Sequence, residues 1–226
     1  MKLLAIDTVT EACSAALWIN GDVHERFEIA PRRHTSLILP MIQQLLAASG
    51  LSLAQLDALA VDRGPGSFTG VRIGTGVVQG LAYAVDLPVV PVSSLAVLAQ
   101  AAWLTLQHKN VLALIDARMQ EVYWARYKFQ GKEMVLVGDE QVGALAQATM
   151  GDEPESYCVG SGSRLYQDQL QSRPGYQVVA DSLYDLPHAA VVAGLAINAF
   201  GRNEVVRAEQ LEPIYLRNQV TQRKTN

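Results

Sequence analysis

The chain has 226 residues, half of them hydrophobic and 18% charged, with 18 basic against 22 acidic side chains and a net charge of −4. That composition supplies ample material for a packed core. It argues against a chain whose main task is nonspecific nucleic-acid binding, which needs a cationic surface, while leaving a local basic patch open. The length suits one large or two small domains. Cys13 and Cys158 make neither a CxxC nor a zinc spacing and read as buried thiols in a reducing compartment. The first apolar run is too short for a signal peptide, and no run approaches the ~20 residues of a membrane span. The expected location is the cytoplasm, with no membrane association.

An apolar run at 3–6 ends at Asp7, followed by a polar turn at 8–11 and a second run at 12–19. Asn20-Gly21-Asp22 is a hairpin signal, so 23–29 returns as a third strand. From Thr35 to Ala48, Leu37, Ile38, Met41, Ile42, Leu45 and Leu46 recur at helical spacing, with Ser49-Gly50 as the stop. Pro40 is tolerable early in that helix if Ser36 is the N-cap, though it invites a kink. A strand is expected at 58–61.

Then comes Gly64-Pro65-Gly66-Ser67-Phe68-Thr69-Gly70-Val71-Arg72-Ile73-Gly74, a shaped turn between an apolar strand and an apolar helix at 71–84. It is not a Walker A loop, because Gly70 is followed by Val71-Arg72 and not by Lys-Ser/Thr. It is not a dinucleotide fingerprint either, because Gly70 comes one residue late. A backbone-built anion site and a tight turn with close helix packing both remain as readings.

A strand at 89–92 follows, then an almost wholly apolar helix capped by Ser93 or Ser94 and running to about Leu106. A run at 111–115 ends at Asp116, then a turn at 117–120, a strand at 121–129, a turn at Gln130-Gly131-Lys132 and a strand at 133–137. This repeats the plan of the first 29 residues, and it predicts two lobes of one topology divided near residue 105. Gly160-Ser161-Gly162-Ser163 follows a short apolar run at 157–159. A last helix begins near His188 and stops at Gly201, and the polar stretch 217–226, with Arg217, Arg223 and Lys224, reads as a frayed tail.

Candidate chemistry is sparse. His24, His34, His108 and His188 offer no HxxxH pair, and no GxSxG elbow is present. Asp7 and Asp116 end buried strands, at the edge where open α/β sheets bind ligands. The plainer reading is that each accepts hydrogen bonds from its own turn. With Gly66, Gly160 and Gly162 they make up the candidate nucleotide-binding set. Small residues recur every four positions at Gly66, Gly70 and Gly74, and again at Gly76, Gly80 and Ala84. Each mid-helix glycine costs about 1 kcal/mol against alanine, so the stripe implies that another backbone comes close, from inside the chain or from a partner helix.

Ala5-Ile6-Asp7-Thr8, the His34-Thr35 helix, the glycine block, Ile115-Asp116-Ala117-Arg118 and Pro213-Ile214-Tyr215-Leu216-Arg217, in that order, resemble the TsaB (YeaZ) family of bacterial tRNA threonylcarbamoyladenosine biosynthesis proteins. The resemblance runs from residue 2 to about 217. It implies an α/β, two-lobed actin-like ATPase (ribonuclease H-like) fold, each lobe a mixed β-sheet with flanking helices, with lobes at 1–105 and 106–226. It also implies a non-catalytic role beside the catalytic subunit TsaD and the ATPase TsaE, with tRNA reached only through the complex and no cofactor of its own.

The catalytic relative carries two metal-binding histidines four apart. Aligning the glycine blocks and the following strands puts Ser94 and Leu98 in their places, a poor metal ligand and a non-ligand. No metal site and no catalytic residue are therefore expected. The competing reading is a sugar-kinase-class phosphotransferase or ATPase using Asp7 and Asp116 around Mg²⁺-nucleotide. The partner-binding surface is expected on the first two helices, at Leu37, Ile38, Met41, Ile42, Leu45, Gly70, Gly74, Val77 and Val78. The same patch would form a weak homodimer when the partner is absent.

Overall fold

The computed structural model describes residues 1–151, 153, 155–179 and 185–217. Strands β1 (Lys2–Asp7), β2 (Ala12–Ile19), β3 (Asp22–Ile29), β4 (Ala58–Asp62) and β5 (Val89–Val92) form one sheet in the order β3-β2-β1-β4-β5. Strands β6 (Asn110–Arg118), β7 (Glu121–Gln130), β8 (Glu133–Ala144), β9 (Ser156–Val159) and β10 (Tyr176–Val178) form the other in the order β8-β7-β6-β9-β10. In each sheet the first three strands pair antiparallel and the last two add in parallel. The two orders are one topology used twice, as the repeated strand–Asp–hairpin plan predicts, and they form the two-lobed actin-like architecture that the family resemblance implies.

Apart from the exposed edge strand β3, the first sheet is buried on both faces, and the period of two in β1 sorts its side chains between them. Leu4 and Ile6 join the cluster beneath helices α1 (His34–Ala48) and α2 (Phe68–Val85). Leu3 and Ala5, with Ala16, Ala58 and Ala60, face helix α6 (Ala189–Gly201). Small residues on that face let Ala189, Val192, Ala193 and Ala196 of α6 lie close to the strands.

The lobes trade helices. Helix α3 (Ser94–Leu106) packs Leu95, Leu98, Ala99 and Ala102 onto the second sheet, against Val111, Ala113, Ile115 and Met134. Conversely, α6 and the segment after it return to the first. Val206 bridges Val89, Leu211 joins the core under α2, and Gln79 Nε2 donates to the Leu211 carbonyl at 2.8 Å. A division at residue 105 therefore follows the sheets but not the helices that cover them. Hydropathy shows that a helix is buried and carries no label for the sheet that buries it.

Several boundaries move for local reasons. Helix α2 begins at Phe68, because the Ser67 hydroxyl caps it by accepting from Gly70 N–H. Arg33, not Ser36, precedes α1, so Pro40 sits inside the helix, on its exposed face where the freed carbonyl meets water. Strand β6 continues past Asp116 through a bulge to Arg118, and β8 extends to Ala144. Short helices α4 (Ser161–Leu165) and α5 (Gln167–Gln171) follow β9. Arg217 is held by hydrogen bonds and is not frayed, while the rest of the expected tail, with Arg223 and Lys224, lies outside the described residues.

The expected partner surface is corrected most. Ile38, Met41, Ile42, Leu45 and Val78 are core residues, and Leu37 and Val77 are half-buried against the same cluster. Gly70 and Gly74 face inward as well. A Cβ on Gly70 would collide with the Thr8 carbonyl, and one on Gly74 would stand 2.7 Å from Thr8 Oγ1, which itself donates to the Gly70 carbonyl. The approaching backbone is the chain's own. At Gly76 and Gly80, both exposed, a Cβ would meet nothing within 4 Å among the described residues.

This contrast is measurable by urea unfolding. Gly70→Ala should lose about 1–3 kcal/mol through overpacking against the Thr8 carbonyl. Gly76→Ala, in the same helix, should gain about 0.5–1 kcal/mol from reduced backbone entropy in the unfolded chain. Equal effects would contradict the assignment of the two faces.

Candidate functional site: the cleft between the lobes

A cleft of about 1830 Å³ separates the two sheets. The first lobe contributes the turn after β1, the end of β3 and the start of α2. The second contributes the end of β6 and the start of α4. Gly66 and Asp116 line it, as the sequence leads one to expect, but Asp7, Gly160 and Gly162 do not. Asp7 is fully buried beneath the wall. A Cβ on Gly160 would strike the Leu114 carbonyl, and one on Gly162 would lie 3.0 Å from Leu114 Cβ, so these glycines serve the seating of α4 on β6. The five candidates do not form one nucleotide cradle.

Beneath the wall sits an acidic pair. Pairing of Ile6 with Val61 sets Asp7 beside Asp62 at the ends of parallel strands β1 and β4. Asp7 Oδ1 accepts from Val9 N–H at 2.9 Å, and Asp62 Oδ1 accepts from Gly64 N–H at 2.9 Å and from the Ser94 hydroxyl at 2.5 Å. Among the described residues, the Oδ2 atom of each has no hydrogen-bond partner. Burial, reinforced by the Asp62 charge, holds Asp7 well above the usual carboxylate range. Burial also pushes Asp62 up to about 7, against the opposing pull of its Ser94 and Gly64 hydrogen bonds. Ser94 is thus committed to Asp62, and Leu98 is fully buried in the core of the second lobe. Neither position fits a metal.

Asp116 follows the plainer reading. Its Oδ1 accepts from Arg118 N–H at 2.8 Å, and its Oδ2 pairs with the Arg118 guanidinium at 3.0 Å. Arg118 also reaches across the mouth of the cleft to Glu11 at 3.6 Å. Arg164 pairs with Asp185 at 2.6 Å, and Arg217 with Glu121.

Two features escaped the sequence reading. Asp62 ends an apolar strand just as Asp7 and Asp116 do, so the same pattern would have found it. An ion pair between Arg63 and Glu140 at 3.2 Å ties the two lobes outside the residues that line the cleft, with side chains 24% and 9% exposed, and the Tyr127 hydroxyl donates to Glu140 at 3.5 Å. These residues come from opposite lobes and carry no local signal.

The family model for TsaD, tRNA N6-adenosine threonylcarbamoyltransferase, matches residues 22–224. A relative from Escherichia coli (strain K12), the tRNA threonylcarbamoyladenosine biosynthesis protein TsaB, is 44% identical over 229 residues, covering 99% of this chain and 98% of the relative. The chain belongs to the TsaB family. The TsaB protein of Haemophilus influenzae is 43% identical over 236 residues, covering 99% of this chain and 97% of its own. The solved structure of YeaZ from Pseudomonas aeruginosa superposes with a TM-score of 0.88 at 44% identity, covering 95% of this chain and 99% of that one. The glycine block that carries the resemblance to TsaB is, in this structure, the element that presses α2 onto the loop after β1. Among the described residues, no helix is long and apolar enough to cross a membrane.

The acidic pair makes a pH prediction. Folding raises the Asp62 pKa from 3.8 to about 7, so between these values the native state holds a proton that the unfolded chain has released. Its contribution is complete below the unfolded value and is lost as pH rises through the folded one. Asp7, also raised, adds to the effect, so stability should fall between pH 4 and 7 by about 1.4 kcal/mol per pH unit for each proton that separates the states. Asp62→Asn, which keeps the oxygen facing Gly64 and Ser94, should lower that slope by the share of one proton and exceed wild type in stability at pH 8. Denaturant unfolding across the pH range checks it, and an unchanged slope in the variant would refute it.

Proposed function

We propose that this chain is the non-catalytic partner subunit for threonylcarbamoylation of the tRNA adenosine 3′ of the anticodon, and that it binds and activates the catalytic subunit TsaD together with the ATPase TsaE. The observation that carries the reading is the state of Ser94 and Leu98. Where the resemblance places the catalytic relative's two metal histidines, this chain has a hydroxyl bonded to Asp62 and a leucine sealed in the core. The phosphotransferase alternative needs Asp7 and Asp116 around one nucleotide. Asp7 is closed off from the cleft and Asp116 is engaged by Arg118, which supports the pseudo-enzyme reading instead.

The partner surface moves to the outer face of the same two helices. Helix α1 has no charged side chain apart from what His34 carries on protonation, and α2 has none after Arg72. Surface helices ordinarily carry charge on their solvent side. Here that side presents Leu39, 45% exposed, and Tyr83, 79% exposed, beside Gly76, Gly80 and Ala84. An uncharged face with a protruding aromatic and a flat glycine stripe suits a second helix pair. The catalytic subunit takes that place in the complex. A second copy takes it weakly when the chain is alone, and tRNA is reached only through the complex.

Reconstitution tests the role. The purified chain, given threonylcarbamoyl-adenylate and tRNA, should transfer nothing alone and should restore transfer when added to TsaD and TsaE. Turnover by the chain alone would overturn the reading. The surface is tested by Gly80→Leu, which should remain folded by circular dichroism yet bind TsaD roughly ten- to a hundred-fold more weakly, as about 1–3 kcal/mol of overpacking implies. Unchanged affinity in calorimetric titration would place the partner elsewhere.

A further inference from the structure

The C-terminal motif, residues 213–217, crosses from one lobe to the other. On the first lobe, Ile214 N–H donates to the Arg63 carbonyl at 3.0 Å. The Tyr215 ring lies 5.7 Å from Phe68, and the Arg72 guanidinium covers both rings, at 3.2 Å from the Phe68 centroid and 4.8 Å from that of Tyr215. Two residues further on, Arg217 grips the second lobe. It donates to the Ala117 carbonyl at 3.2 Å, pairs with the Glu121 carboxylate and touches Met119 Sδ at 3.6 Å.

The segment it grips is strained. Arg118, Met119 and Gln120 have φ of 63°, 56° and 62°, three successive left-handed residues with no glycine among them. Such a run persists only where its surroundings hold it. The holding contacts are the turn's own Asp116, which accepts from Arg118 N–H, and the Arg217 guanidinium. The same turn carries Arg118 to Glu11 across the mouth of the cleft. A second inter-lobe ion pair, Arg63 with Glu140, is half-buried and lies outside the cleft lining. The lobes are thus tied at this pair and at the exposed mouth, and the motif spans the two, starting at Arg63 itself.

We propose that residues 213–217 are an inter-lobe strap, latched by Arg217 onto the 117–121 turn, that sets the opening of the cleft. In a two-lobed fold a ligand lying between the lobes can cross-link them; here the chain's own C-terminal segment does so. Releasing Arg217 frees the strained turn, removes the Arg118–Glu11 contact with it, and lets the mouth open about the intact Arg63–Glu140 pair.

Amide hydrogen exchange and small-angle scattering on the full chain test this. Arg217→Ala should speed exchange at 117–123 by roughly ten- to a hundred-fold, the worth of a charge-assisted hydrogen bond, and raise the radius of gyration. Exchange in β1 and β4 should stay unchanged. Glu121→Ala removes the latch from the other side and should give the same local signature, so it carries the test if Arg217→Ala does not fold. The exchanged pair Arg217→Glu with Glu121→Arg should restore slow exchange. Arg207→Ala, which removes an exposed cation paired with Glu209 outside the strap, should change nothing. Wild-type exchange and scattering in both latch variants, or acceleration spread evenly over both sheets, would overturn the proposal.

Discussion

The closeness of α2 to the loop that leaves β1 governs much of the rest. Gly66, Gly70 and Gly74 put a helix backbone where side chains would normally stand, over Thr8 and Val9. Thr8 Oγ1 closes the contact by donating to the Gly70 carbonyl. This draws the ends of β1 and β4 under the helix, buries Asp7 and Asp62 side by side, and fixes the Gly64 turn whose N–H Asp62 accepts. The acidic pair is therefore a by-product of helix seating at the carboxyl ends of the strands, the edge where open α/β sheets bind ligands. Its raised affinity for protons follows from burial and mutual repulsion, with no catalytic demand needed to explain it.

Exchange of covering helices ties the lobes into one body. With α3 on the second sheet and α6 on the first, each lobe's core is completed by the other half of the sequence. The first sheet would lose most of one cover if its half were separated, since α6, joined by Val97 of α3, covers the face that carries Leu3, Ala5, Ala58 and Ala60. The half-buried Arg63–Glu140 pair and the strap then determine how far the two sheets spread. Breaking one partner of a partly desolvated ion pair leaves the other charge uncompensated, so the pair suits a fixed tie better than a moving part.

Local pattern made the strands, the hairpins and the repeated topology legible, because period-two burial and Asn-Gly turns act over a few residues. The strand-terminal Asp pattern found Asp7 and Asp116 and would have found Asp62. It could not say that Asp7 lies beneath the wall while Asp116 lines the cleft, since that depends on where α2 comes down. The four-residue glycine repeat correctly signalled close backbone approach, yet its phase relative to the sheet was invisible. Gly74 faces Thr8, while Gly76, two residues on and so roughly opposite on the helix, faces solvent. Leu37, Ile38, Met41, Ile42 and Leu45 likewise form a stripe whose inward direction only the sheet reveals. Arg217 was unreadable for another reason. Its partners, Ala117 and Glu121, are about a hundred residues away.

Charge distribution separates the two surfaces that could engage another molecule. Inside the cleft, Arg118 faces Glu11 and Asp116, Arg164 faces Asp185, and Arg217 faces Glu121. A polyphosphate entering there would have to compete with carboxylates already in place, whereas a dedicated phosphate site leaves its cations or backbone N–H groups free. The outer face of α1 and α2 is the reverse case, with no charge to desolvate, small residues at Gly76 and Gly80, and a large exposed ring at Tyr83. Covering such a face buries apolar area without leaving an ion unpaired, the favourable condition for a protein–protein contact. This chain thus pairs three of the four arginines that line its cleft with carboxylates of its own and leaves an uncharged apolar surface on the outer face of the helices.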